Sequence, residues 1–192
     1  MAESAQPLNR FQEKSVIMRR WMSAFFIVLL VATPFAGQTD EWKRYRNTDG
    51  NFTVLFPGEP QDSTNTIPGG MSSHTLQILK PPAVYTLVWT FIEAKQTVTD
   101  ANFEVFKTSF LSKLPKCTVA ADQPASPALP DYIGHEYQLN CDLPQGKVTI
   151  VGSLYWGKHY SYAVMGIFSA TVPQPADVKR FVESITLIDP AK

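Results

Sequence analysis

The chain has 192 residues, 44% of them hydrophobic and 12% aromatic, enough to bury a sizeable core in one domain and unlike a disordered or collagen-like chain. Lysine plus arginine and aspartate plus glutamate number 17 each. No basic run interleaves with aromatics as a phosphate-tracking groove requires, so nucleic acid is not an expected partner.

The first segment with a recognisable build is WMSAFFIVLLVATPFA at 21–36, which follows Arg19 and Arg20 and gives way to polar GQTDEW. A cationic start, a short apolar run and small residues at its end make a secretory signal peptide, with cleavage placed after Ala36. At 16 residues, interrupted by Pro34, the run falls short of the ~18 that span a bilayer. Pro34 also occupies a position before the cut where a small residue is preferred. An uncleaved N-terminal anchor is therefore the alternative, and the membrane would be met only through it. MRRWMSAFF is itself a complete leader start, so Met18 competes with Met1 as the first residue. The expected organisation is a leader at 1–36 and a single domain at 37–192, in the periplasm or outside the cell. Loss of 1–36 removes Arg10, Lys14, Arg19 and Arg20 against Glu3 and Glu13, taking the net charge from zero to −2.

In the mature chain, WKRYR (42–46) and NFTVLF (51–56) read as a hairpin turning through Asn47 to Gly50. Period-two geometry puts Phe52, Val54 and Phe56 on one face and Thr53 and Leu55 on the other. Pro57, Gly58 and Pro60 then end the strand, since proline lacks a ladder donor and glycine permits a positive φ. A polar loop is expected from Ser63 to Gly70. SSHTLQILK (72–80) and AVYTLVWTFI (83–92) form a second hairpin around Pro81-Pro82, its second arm apolar on both faces and hence an interior strand. Thr99-Asp100 caps a helix through ANFEVFKTSFLSKLPK, in which Phe103, Phe106, Phe110, Leu111 and Leu114 recur at helical spacing and Pro115 marks the end. ADQPASPALPD (121–131) reads as a proline-rich loop. In YIGHEYQLNC the residues Ile133, His135, Tyr137, Leu139 and Cys141 share one face. KVTIVGSLYW and HYSYAVMGIF flank Gly157-Lys158, which suits a two-residue type II′ turn. A last helix is expected from Pro175, with Val178, Phe181, Val182 and Ile185 on one stripe.

Two cysteines are present, Cys117 and Cys141, and in an exported chain an even count favours a disulfide. If the 133–141 face meets the first helix, Cys117 at that helix's trailing end can reach Cys141. Free buried thiols and metal ligation are the competing states, the latter without nearby partners in the sequence.

Catalytic and metal chemistry find little support. His74, His135 and His159 have no HExxH, HxH or CxxC neighbour; His135 is read as satisfied near the core and His159 as solvated beside a turn. Gly152-Ser153 lies in a strand without the GxSxG context of a nucleophile elbow, and Gly69-Gly70 is a bare pair. Glu93, Glu104, Glu136 and Asp142 show no acid/base spacing. No metal site, cofactor or enzymatic activity is expected. One surface stands out instead. Pairing the last hairpin through Gly157-Lys158 sets Tyr155 opposite Tyr160 and Ser153 opposite Tyr162 on one face, with the aliphatic face under the helices. Tyr155, Tyr160 and Tyr162 are then a candidate docking platform; the alternative is that the N-terminal hairpin covers them.

YRNTDGNFTVLFP, with Tyr45, Gly50, Phe52 and Pro57, resembles the opening hairpin of PsbP-like domains, and the closing FVESITLI (181–188) is similar too. The resemblance implies an α+β fold, an antiparallel sheet with helices packed on both faces in an α/β/α sandwich. It also implies a non-enzymatic role in binding or assembly, shared by extrinsic photosystem subunits, a Ran-binding import factor family and DcrB-related bacterial envelope proteins. The chain has PGEP where the photosystem members commonly place a tryptophan after the proline, so neither photosystem function nor their metal binding carries over. The functional expectation is an exported accessory that docks on an envelope protein, the alternative being a small-ligand or lipid carrier with an apolar cleft between the hairpin and the main sheet.

Overall fold

The structure, a computed structural model, describes residues 41–66, 71–92, 97–114, 116–126, 129 and 131–188, all within one compact unit, Thr39–Lys192. The leader expected at 1–36 falls outside these residues, as do Gly69-Gly70, Glu93 and Pro115. No helix among the described residues is long and apolar enough to cross a membrane.

Alternation in NFTVLF has the consequence its pattern requires. β1 (Lys43–Asn47) and β2 (Phe52–Phe56) form an antiparallel hairpin, Tyr45 opposite Val54, and Phe52, Val54 and Phe56 are fully buried. Asn47 Oδ1 accepts from the Gly50 N–H at 2.6 Å and closes the turn. Pro57 and Gly58 are buried, and Gly58 has φ 132°, a conformation that suits glycine. There the chain leaves one sheet for another: β3 (Gln61–Thr66) starts two residues after Glu59 and forms the edge of the long sheet. PGEP is thus the crossover between sheets, and the polar loop expected from Ser63 is in its first part a strand. All six β3 side chains are exposed, so burial leaves no alternation to read.

The long sheet has seven antiparallel strands in the order β3-β4-β5-β9-β8-β7-β6, with β4 Ser72–Lys80, β5 Ala83–Phe91, β6 Cys117–Pro124, β7 Ile133–Leu143, β8 Gly146–Trp156 and β9 Tyr160–Ser169. β5 lies inside it, pairing with both β4 and β9. Residues 121–124, expected as loop, extend β6 instead, past an irregularity between Val119 and Ala121; every β6 residue after Cys117 is exposed, so once again no apolar period marks the strand.

Helix α1 (Asp100–Leu111) begins where expected, the Thr99 side chain accepting from the Asn102 N–H at 3.3 Å. Its Phe103 is buried with Tyr137, Leu139, Cys141, Ile150, Leu154, Ala163 and Met165, and Phe106, Phe110, Leu111 and Leu114 pack at the margin. Helix α2 (Ala176–Glu183) starts one residue later than expected, because Pro175 (φ −64°, ψ 135°) is the extended cap and not the first helical residue. Val178, Phe181, Val182 and Ile185 bury against Tyr85, Tyr162, Val164 and Phe168 and against the β2 stripe. By β-strand alternation these two clusters lie on opposite faces of the long sheet. The expected sandwich is met in part. Among the described residues the architecture is mostly antiparallel β, with two helices, one in each cluster, and a second sheet shares the α2 side. That short sheet has the order β1-β2-β10, because Thr186–Leu187 (β10) returns to pair with β2.

Gly166 shows how closely α2 sits: a Cβ there would run into the Val178 side chain. Serine 184, at the C-cap of α2, donates to Phe181 O at 2.7 Å and accepts from the Leu55 N–H at 2.9 Å, tying helix to hairpin.

Cys117 and Cys141 form a disulfide and are direct partners across β6 and β7, with Cα atoms 4.0 Å apart. The bridge links strand to strand instead of reaching over from the end of a helix, because Cys117 is already the first residue of β6. It closes a loop with a sequence separation of 24. Replacing both cysteines by serine should lower the unfolding free energy by about 3 kcal/mol, read as a drop in the urea midpoint; an unchanged midpoint would show that the bridge constrains nothing.

An ionic network fastens α1 to the β6 edge. Lys107 Nζ donates to Asp122 at 2.7 Å and lies 2.8 Å from Glu104, and His135 Nδ1 lies 2.6 Å from the other Asp122 oxygen. Burial pushes the Asp122 carboxyl upward, but hydrogen bonds from Lys107 and His135 outweigh it and hold it below the usual range. Burial pushes Lys107 down, and its bonds to Asp122 and Glu104 outweigh that and raise it. A lowered carboxyl stabilises above its unfolded pKa of ~3.9 and loses that contribution as pH falls through the folded value; a raised ammonium stabilises below its unfolded ~10.4 and loses it as pH rises through the folded value. The stability advantage of wild type over Asp122→Asn should therefore be full from about pH 5 to 9 and shrink below about pH 4. Urea midpoints across pH would check this, and an advantage that persists undiminished in acid would contradict it.

Candidate functional site at the aromatic end of the long sheet

The last hairpin does not pair as the turn composition predicts. Tyr155 stands opposite Tyr162 and Ser153 opposite Val164, a slip of two residues that leaves each side chain on its expected face because the period is two. The Gly157 N–H donates to Tyr160 O at 2.9 Å, so Lys158 and His159 are the turn residues. Interactions across the sheet account for the shift. The Ile92 N–H donates to His159 O at 2.8 Å, and His159 Nδ1, 3.3 Å from Ile92 O, donates back. Gly157 serves close approach and not a positive φ: a Cβ there would collide with the Tyr132 ring.

Tyr155 and Tyr162 do not form an open platform. They are 6% and 1% exposed, Tyr155 against Gly134 and Tyr162 beneath the N-terminal hairpin. The Tyr162 hydroxyl donates to Gly50 O at 2.8 Å in the β1–β2 turn, and Phe52 packs edge-on to its ring at 6.1 Å. Gly50 is confined in turn, since a Cβ would lie 2.6 Å from Phe52 Cε1 and 3.0 Å from Trp89 Cδ2. The space where the sequence allowed an apolar carrier cleft is filled by Phe52, Val54, Phe56 and Phe181 against Tyr85, Leu87 and Tyr162. Burial first, then the neighbouring Tyr132, raises the Tyr162 hydroxyl; burial, then Glu136, raises Tyr155 despite its bond with Ser153. Both stay neutral donors at physiological pH.

Tyr160 reaches the surface, and with neighbours the sequence did not single out. Strand pairing aligns Thr64, His74, Trp89 and Tyr162 in one row across β3, β4, β5 and β9, and Phe91 with Tyr160 in the next such row on that face. The Phe91 ring lies 5.3 Å from Tyr160 and 6.2 Å from His159, Tyr160 lies 6.4 Å from Trp89, and His74 stacks flat on Trp89 at 4.0 Å and 4°. Phe91 is 43% exposed; His74, His159 and Tyr160 are half-buried. Beneath them Trp89 is 4% exposed and its Nε1 meets no hydrogen-bond partner among the described residues. Burial, then Asp49, raises the Tyr160 hydroxyl against a bond with Asn51. The result is a ledge of exposed and half-exposed rings on a buried aromatic base. The His74–Trp89 pairing follows from reading Pro81-Pro82 as a two-residue turn. The Phe91–Tyr160 contact does not, because β5 and β9 are paired across a long stretch of chain.

The remaining sequence candidates are absorbed by structure. His135 is held by Asp122, as above. Glu136 accepts from Gln123 Nε2 at 3.1 Å and from the Ser126 N–H at 3.2 Å, and Ser153 is 2% exposed beside Tyr155. Among the described residues no three His, Cys, Asp or Glu side chains group as metal ligands.

No protein-family model matches the chain, and no curated protein matches its sequence. Among solved structures it is similar to the solution structure of cyanobacterial PsbP (CyanoP) from Synechocystis sp. PCC 6803, with a TM-score of 0.51 and 10% identity over 82% of this chain and 98% of that one. The fold is PsbP-like. At 10% identity the likeness is one of backbone architecture. In this PsbP-like fold Tyr45 stacks on Phe52 at 6.5 Å and meets Phe56 edge-on at 6.2 Å, so the hairpin motif is a packing motif.

Tyr162→Phe should test the contact between turn and sheet. Removing the hydroxyl leaves Gly50 O without its donor, and stability should fall by about 1–2 kcal/mol. A variant as stable as wild type in urea would mean that the bond contributes nothing to holding the hairpin.

Proposed function

We propose that this chain is a non-enzymatic accessory domain of an exported compartment that docks on an envelope protein, presenting the ledge of Phe91, His159 and Tyr160. The observation that carries the reading is Phe91, a large ring left 43% exposed beside Tyr160 at the end of a sheet whose other large aromatics are largely covered. A ring of this kind, supported from below and rimmed by polar groups, has the build of an interface anchor. The PsbP-like fold supports an accessory role in general, the disulfide supports an oxidising compartment, and the leader-like segment at 21–36 supports export. Of the three tyrosines proposed from sequence, Tyr160 remains the contact residue, Tyr162 stacks beside it at 6.0 Å, and Tyr155 is buried against Gly134.

The test is quantitative capture of envelope proteins from detergent extract on the immobilised chain, comparing wild type with Phe91→Ser and Tyr160→Ser. Expected is one saturable partner whose retention falls about tenfold or more in either variant, with circular dichroism and melting temperature unchanged. Retention that is identical in all three proteins would rule out the ledge as the docking surface.

A further inference from the structure

A second surface lies away from the aromatic ledge, beside the disulfide. A groove of about 670 Å³ has its floor on β6, β7, β8 and β9 and its wall in the segment that follows β9, where Ala170, Val172 and Gln174 line it. That volume falls in the range of small-molecule sites, roughly 300–1,000 Å³. Its lining is mostly polar, with two cations on the rim.

The cations are Lys116 and Lys147, which make no ion pair with any described residue. Both are fixed at the backbone: Lys116 O accepts from the Asp142 N–H at 2.9 Å, and Lys147 O accepts from the Ala170 N–H at 3.0 Å. Lys116 has φ 62°, the left-handed region uncommon for a residue with a side chain. It is held there between α1 and the cystine. Asp142 is the one carboxylate of the lining. Along one face of β7, Gln138 and Asn140 bring amides into the groove. Thr149, on β8, is 7% exposed and lines the groove. The Phe168 ring supplies an apolar patch in the floor.

We infer that this groove binds an anionic sugar. Two fixed lysines at the rim take a carboxylate or phosphate. Amides, the Thr149 hydroxyl and Asp142 offer the mixed donors and acceptors that ring hydroxyls require, and Phe168 offers the apolar contact a sugar face can use. The groove and the ledge share no lining residue, so the inference stands independently of the docking proposal.

The test is a chemical-shift titration of the full chain with glucuronate and with glucose 6-phosphate, against methyl glucoside, acetate and inorganic phosphate. Expected are saturable shifts at Gln138, Asn140 and Thr149 with at least one anionic sugar, whichever binds revealing the preferred oxyanion. Lys116→Gln and Lys147→Gln should each weaken binding about fivefold to tenfold, on exposed positions where folding is undisturbed. Any of these results overturns the inference: no saturable shifts, shifts centred elsewhere, affinity indifferent to both lysine changes, or acetate or phosphate binding as tightly as the sugars. Methyl glucoside as tight as glucuronate would overturn the role of the lysines and with it the assignment.

Discussion

Phe52, Val54 and Phe56, on one face of a five-residue strand, are fully buried, and the rest of the structure depends on where they go. They pack against the tyrosine-bearing face of the long sheet together with Phe181 of α2: Phe56 lies 4.9 Å from Phe181, and Phe52 lies 6.5 Å from Trp89 and 6.1 Å from Tyr162. Complete burial of side chains this size stabilises by about 1.5–3 kcal/mol each, and their removal leaves cavities on the order of 3–5 kcal/mol for a phenylalanine. A two-stranded hairpin alone would be marginal in water. It is held by this stripe and by the chain's own end, since β10 pairs with β2 and the Ile188 N–H donates to Asn51 O at 2.7 Å. The first and last elements of the domain close on each other over one face of the sheet.

That closure decides what is left for function. With the hairpin seated, the tyrosine face is core, and what remains accessible is its margin, where β5 and β9 run past the hairpin turn and Phe91 and Tyr160 emerge. The opposite face is taken over β7 and β8 by α1, anchored through Lys107, Asp122 and His135. The aromatic ledge and the lysine-rimmed groove are both places where a covering element stops short.

What could be read from the sequence follows from which signals are local. The β1–β2 hairpin, the Pro81-Pro82 hairpin and both helices carried their own punctuation and apolar period, and they start within a residue or two of their expected positions, although α1 ends at Leu111, short of Pro115. The PsbP-like resemblance rested on Tyr45, Gly50, Phe52 and Pro57, all of which serve the packing of the hairpin. β3 and the end of β6 were hidden because edge strands with exposed side chains carry no burial pattern. The last hairpin's register was misread because Gly157 looked like turn chemistry, whereas its lack of a Cβ makes room for Tyr132. His159, expected to be solvated beside the turn, is itself a turn residue, half-buried and bonded to Ile92 across the sheet. Neither Phe91 beside Tyr160 nor Thr149 and Lys116 in one groove could be inferred, since both juxtapositions come from pairings and connections far apart in the chain.

The central claim is that hairpin, α2 and long sheet form one cooperative core with the tyrosine face shut. Native-state amide hydrogen exchange tests it most directly. The account predicts that the slowest amides of β2, between Phe52 and Phe56, exchange with the same opening free energy and denaturant dependence as those of β5 and β9. If the β1–β2 amides exchange instead by an opening of their own, well below the global unfolding free energy, the hairpin is a separable flap. The tyrosine face would then be an intermittently open surface, not core, and the account would be contradicted.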